Sequence, residues 1–172
     1  GILEHLQVEL AKLREHFGVE GTDVRTATLF RDKAAMKDAL RAAGLPCARH
    51  RLLRSWNDAS DFVDEVGFPV VLKPPAGMAC KATWRIDSVR RLRAALEALQ
   101  PRAEAPMLAE EFLQGREYSF ETITVGREVK LATSAEYHPT PLEVVENPWI
   151  QWVVVAPREP DPAETPPRVV TG

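Results

Sequence analysis

The sequence predicts an α+β fold. Its centre is a compact β-α-β-β-α-β unit over residues 47–113, with helices on one face of an antiparallel sheet. Three observations predict it. Short apolar runs flanked by Gly and Pro alternate with longer segments whose apolar residues recur every three or four positions. The connections between them are short. Beyond residue 113, two strand-like runs, 117–125 and 128–137, flank Gly126 and read as an antiparallel pair.

The elements follow in chain order. Leu3, Leu6, Leu10, Leu13 and Phe17 form one apolar face of a first helix, which Gly18 and Gly21 stop. That stripe needs a partner: an upstream domain, or a second copy of the chain in a homodimer. Asp32 is a good N-cap for a helix that runs to about Ala43, with Met36, Leu40 and Ala43 inward, ended by Gly44 and Pro46. Residues 47–53 read as a strand and 58–66 as a short helix burying Phe62, Val63 and Val66. Phe68–Lys73 is a buried strand and 81–86 another. Asp87 is placed to cap a helix carrying Val89, Leu92, Leu96 and Leu99 on one face. A loop over Pro101–Pro106 leads to a strand over Met107–Leu113, and Trp149–Val155 is a last strand. From Pro157 the tail has five prolines and few apolar anchors, which predicts a loop or fraying.

The 172 residues suffice for one domain or for two small subdomains sharing a cleft, with 45% hydrophobic and 27% charged residues. No apolar run is long enough to span a bilayer, and residues 1–17 show no signal-peptide pattern. The net charge of −3 and the dispersed basic residues do not suggest a nucleic-acid partner. Arg90, Arg91 and Arg93 read as a solvated helix face. Cys47 and Cys80 form neither a metal spacing nor a CxxC pair, so reduced thiols in a cytoplasmic protein are expected. His5, His16, His50 and His138 lack ligand spacing.

Two lysines stand out. Lys73 ends an apolar strand, where it is either surface decoration or a point charge aimed into a cleft to meet phosphate oxygens. Lys33 lies in the first turn of a helix, where the macrodipole disfavours a cation, a penalty that a nearby anion would reverse. Between two strands, Pro74–Thr83 is a loop of small residues that can bend over phosphates. Two of its residues are prolines without N–H groups, and it matches neither the P-loop nor the kinase glycine loop. Glu110, Glu111 and Glu117 gather around the turn at Gly115, and strand alternation sets Glu110 and Glu111 on opposite faces. This lets Glu110 face a ligand while Glu111 faces solvent. As a bare cluster, exposed glutamates are the simpler reading.

The order of these signals resembles the ATP-grasp superfamily. Arg31-Asp32-Lys33, a helix and then Gly44-Leu45-Pro46 resemble its opening lysine and G-[IVL]-P. Gly67-Phe68-Pro69-Val70-Val71-Leu72-Lys73-Pro74 resembles its lysine-bearing strand. Glu110-Glu111-Phe112-Leu113-x-Gly115-x-Glu117 resembles its hinge. The residues after the hinge, Gly115-Arg116-Glu117-Tyr118-Ser119-Phe120, favour the carboxylate–amine ligase branch, with carbamoyl-phosphate-synthase-like and phosphoribosylglycinamide-synthetase-like relatives, over the biotin-carboxylase type.

The resemblance implies three regions. Residues 1–46 are N-terminal helices, 47–113 the lid subdomain, and 114–172 an incomplete C-terminal antiparallel subdomain with a Pro-rich tail. It implies ATP as ligand, with Lys33 and Lys73 on its phosphates and the loop that includes Ala76, Gly77 and Lys81 closing over them. Glu110 would accept from the adenine amino group, Glu111, Phe112 and Leu113 would line the base through the hinge backbone, and Glu117 would hold ribose hydroxyls. It implies ligation through an acyl phosphate formed on an unknown carboxylate and displaced by an unknown amine. Magnesium ligands are expected beyond residue 172, since Glu143, Glu146 and Asn147 lack the family's Glu-x-Asn spacing, so this stretch alone is expected to be inactive. The alternative is a non-catalytic regulatory or interaction module that keeps the lid fold.

Overall fold

The computed structural model describes residues 3–77, 82–126 and 128–156. The chain divides into two compact units, residues 1–113 and 114–172.

The first unit opens with a 3-10 turn over Glu4–Leu6 and three helices, α1 (Gln7–Phe17), α2 (Val24–Arg31) and α3 (Lys33–Ala42). The expected stripe on α1 is largely in solvent. Leu13 and Phe17 are exposed, and Ala11 is the buried residue, because α2 packs closely on α1 and admits only a small side chain there. No helix was expected over Val24–Arg31. It begins at Asp23, whose carboxylate accepts from Thr26 N at 2.6 Å. Asp32 has extended backbone angles, ends α2 and caps α3, accepting from Ala34 N (2.9 Å) and Ala35 N (3.0 Å). In α3 Ala34 is buried, while Ala43 is an exposed C-cap rather than part of the inward face.

Next come β1 (His50–Leu53), α4 (Trp56–Val66), β2 (Val70–Lys73), β3 (Trp84–Ile86), α5 (Val89–Leu99) and β4 (Met107–Glu111). The four strands form an antiparallel sheet in the order β1-β4-β2-β3. This is the α+β unit that the alternating pattern predicts. Several ends are tighter. The first strand starts at His50 rather than residue 47, β2 at Val70 rather than Phe68, and β4 stops at Glu111. Helix α4 starts two residues early because Ser55 Oγ accepts from Asp58 N at 3.2 Å. Ser88, not Asp87, holds the N-cap position of α5, and Asp87 pairs with Arg91 one turn on (3.2 Å).

Alternation gives this sheet two faces. Leu53, Val70, Leu72, Met107 and Ala109 join Phe62 of α4 and Leu92 and Leu96 of α5 in the core. Val71, Lys73, Leu108 and Glu110 alternate with them and point to the other face. Side-chain contacts from α3, through Lys37 and Asp38, reach that second face.

The second unit is a three-stranded antiparallel sheet, β5 (Tyr118–Val125), β6 (Glu128–His138) and β7 (Val153–Val155). The strand expected over Trp149–Val155 is confined to its last three residues. Ahead of it lies an unexpected helix, α6 (Pro141–Glu146). A reciprocal capping box between Thr140 and Glu143 and a proline in its first turn start it. Tyr137 and Trp152 pack ring against ring at 5.8 Å, centroid to centroid. The Pro-rich tail from Pro157 lies outside the described residues.

Candidate functional site

The second face of the four-stranded sheet gathers charge. Glu110 is the buried charged residue among the described residues, 8% exposed, and it sits on β4 between His50 of β1 and Val71 of β2. Strand pairing on both sides fixes its backbone. Its carboxylate meets two lysines from two elements. Lys73, at the end of β2, donates to Oε2 at 2.8 Å. Lys37, on α3, brings Nζ to 3.5 Å from Oε1, and Oε1 is buried without a hydrogen bond. The pair with Lys37 is therefore a charge contact that leaves the lone pairs of Oε1 free.

Lys33 lies one helical turn before Lys37, on the same face of α3. Its main-chain N–H donates to Pro75 O (3.0 Å) and its Nζ to Gly77 O (2.7 Å). Burial, and next the charge of Lys73, hold its ammonium below the usual lysine pKa. Beside it, Arg31 donates to Ala76 O (2.7 Å) and Gly77 O (3.4 Å) and pairs with Glu4 (3.2 Å). The start of the loop after β2 thus turns carbonyls, not N–H groups, toward α2 and α3. Three lysines face one carboxylate here. A surplus of positive charge in a partly buried place favours a bound anion, and ammonium groups on separate elements suit the dispersed charge of a polyphosphate.

The other candidates are placed as follows. Glu111 points away from this cluster. Rather than being left to solvent, its carboxylate accepts from Arg49 N (2.7 Å) and Arg49 Nε (2.8 Å), and these bonds hold it below the usual glutamate pKa. The ring of Phe112 lies under the Arg85 guanidinium at 4.6 Å. Leu113 is exposed. Glu117 belongs to the second unit, where its carbonyl accepts from Tyr137 N at 3.4 Å. Lys81 lies outside the described residues.

Lys37 was not singled out in the sequence. The signal that finds it is its i,i+4 spacing from Lys33, which sets two like charges on one helix face where repulsion needs an anion to offset it. Arg31 was read as part of a motif and not as a site residue.

The family model for the phosphoribosylglycinamide synthetase ATP-grasp (A) domain matches residues 31–148, more than half of the chain. The chain belongs to the ATP-grasp family. Among its relatives is the alanine–anticapsin ligase of Bacillus subtilis (strain 168), 32% identical over 117 residues that cover 62% of this chain and 25% of that protein. In fold, this ATP-grasp chain is similar to the L-amino acid ligase from Bacillus licheniformis. That similarity has a TM-score of 0.72 at 20% identity and covers 94% of this chain and 36% of that one. It is also similar to the carboxyaminoimidazole ribonucleotide synthase from Aspergillus clavatus in complex with ATP, with a TM-score of 0.68 at 21% identity, covering 81% of this chain and 37% of that one. The chain spans about a quarter of the length of the alanine–anticapsin ligase and about a third or less of other curated relatives it matches.

Among the described residues of this ATP-grasp chain, no group of three or more His, Cys, Asp or Glu could hold a metal ion. Glu110 does not fit magnesium, because both of its oxygens face lysines. Among the described residues no helix is long and apolar enough to cross a membrane.

Proposed function

We propose that residues 31–113 form the phosphate- and adenine-binding part of an ATP-dependent carboxylate–amine ligase. The observation that carries this reading is the convergence of Lys33, Lys37 and Lys73 on one face of the sheet, with Glu110 as their buried counter-charge among the described residues. Lys33 and Lys73 are the phosphate ligands. Both now hold internal substitutes, Gly77 O and Glu110 Oε2, at hydrogen-bond distance. A polyphosphate exchanges with the first and adds to the second. Glu110 Oε1 is a buried acceptor without a donor, which suits the exocyclic amino group of adenine. The backbone of Glu111, Phe112 and Leu113 would line the base. The resemblance alone supports Glu117 as the acceptor for ribose hydroxyls and the loop residues Ala76, Gly77 and Lys81 as phosphate cover.

In the ligation itself, a carboxylate oxygen of the substrate attacks the γ-phosphorus and ADP leaves. An amine then attacks the acyl carbon and phosphate leaves. The part of the lysines in the first step is to hold the phosphates in line and to offset charge that grows on the leaving oxygen. The substrates are a carboxylate and an amine, and the cytoplasm is the proposed compartment. The chain by itself is proposed not to turn over ATP, because Glu110, the carboxylate of the cluster, is engaged by two lysines and does not fit magnesium.

Calorimetric titration of ATP into the 172-residue chain, beside Lys73→Ala, tests the binding claim. Saturable binding that weakens at least about tenfold in the variant is expected from the loss of one charge-assisted phosphate contact. Equal binding by both proteins, or none by either, would refute it. Phosphate release above background by the chain alone would refute the claim of inactivity.

A further inference from the structure

We propose that Lys37 is a positioning residue for base recognition: its ammonium holds the Glu110 carboxylate so that the lone pairs of Oε1 stay aimed at an incoming N–H donor. This rests on the nucleotide reading above and extends it to a residue that does not touch the nucleotide.

The geometry separates the two lysines. Lys73 makes a direct hydrogen bond to Oε2. Lys37 stands at 3.5 Å from Oε1 without forming a hydrogen bond. Its side chain is 12% exposed and that of Glu110 is 10% exposed, so little water screens the contact. A buried carboxylate oxygen without a donor is costly, and a cation nearby offsets the cost without using the lone pairs. The backbone of Glu110 is pinned between two strands, so only side-chain rotation can move the carboxylate. With Lys37 removed, Lys73 alone attracts it, and both oxygens can turn toward that one ammonium. The aim of Oε1 would then be lost while the phosphate-facing lysines stay in place.

The consequence is a change in base preference. Adenine presents an amino donor where hypoxanthine presents a carbonyl oxygen, and a carboxylate oxygen accepts from the first and repels the second. Lys37 therefore favours ATP over ITP.

The test is titration of ATP and ITP into the full chain, into Lys37→Met and into Lys37→Arg, with thermal unfolding of each as a control for folding. The wild-type chain is expected to prefer ATP. Lys37→Met is expected to lose about tenfold in ATP affinity with little change for ITP, which is the size of a displaced hydrogen bond to a charged group. Lys37→Arg restores most of the preference because the charge returns. Should Lys37→Met melt below the titration temperature, Lys37→Gln keeps a polar stem without the charge and gives the same comparison.

An unchanged ATP/ITP ratio in whichever of these charge-removing variants is folded at the titration temperature overturns the proposal, since a purely structural tie would affect stability alone. Equal losses for both nucleotides overturn it too, because they mark Lys37 as a general phosphate cation. Wild-type binding without base preference removes the role of Glu110, and this inference with it, but leaves the phosphate reading standing. No wild-type binding of either nucleotide removes both readings.

Discussion

Lys33 joins the electrostatics of the site to pH. Burial and the neighbouring Lys73 charge lower its pKa from the ordinary 10.5. The unfolded chain therefore binds more protons than the folded one between the lowered value and 10.5, and stability rises with pH across that window. Below the window the penalty for the crowded ammonium is fully present. A bound polyphosphate reverses the sign, because it favours the charged form. ATP affinity is thus expected to fall as pH rises through the lowered pKa, beginning below 10.5. Calorimetry across the alkaline range reads this directly. Lys33→Met should bind more weakly and lack the alkaline decline, and a variant that keeps the same decline would place the titration elsewhere. Of the residues at this site, Lys33 and Lys73 were legible because they stand at odd places, a helix start and the end of an apolar strand. Lys37 was hidden, since a lysine on a helix face is ordinary until its neighbour across the fold is known.

Helix α3 is the element that sets two of the three lysines. Asp32 caps it with two hydrogen bonds and its extended backbone forms the corner between α2 and α3. Asp32→Ala is expected to destabilise the first unit by about 1 kcal/mol, in line with the loss of an N-cap. The same change should weaken ATP binding, because Lys33 follows the corner directly. Denaturant unfolding beside nucleotide titration checks both, and unchanged stability would show that the corner is held by other contacts. This cap was readable from the sequence. Helix α2 was not, since Val24, Thr26 and Thr28 are β-branched and weak helix formers, and packing against α1 and α3 overrides that preference. Helix α6 shows the opposite case. Its signals, Thr140, Pro141 and Glu143 in capping-box spacing, stand in the sequence, masked by the nearby prolines and tryptophans.

At the scale of the molecule, the first unit rests on one core between its sheet and α4 and α5. Leu72 is 0% exposed there and directly precedes Lys73 on β2. Leu72→Ala is expected to cost about 2–5 kcal/mol from lost burial and the cavity left behind. Hydrogen exchange should show reduced amide protection across β1–β4. Protection unchanged in those strands would mean that the core collapses around the gap. In the second unit, Phe120, Ile123, Val125 and Leu131 are exposed on the paired strands. A sheet with that much apolar surface in water is suited to be covered.

The sequence by itself determined the order of strands and helices between residues 47 and 113, the antiparallel character of the sheet and the ATP-grasp membership carried by its ordered motifs. These depend on local periodicity, on turn residues and on spacing along the chain, which are properties of neighbours in sequence. Tertiary structure alone decided that Glu110 is held between Lys73 and Lys37 and that the loop after β2 offers carbonyls to Arg31 and Lys33. It also decided that Ala11 rather than the leucines of α1 is buried. The first two join residues tens of positions apart in the chain, and only the packed fold brings their charges within a few ångströms of their partners.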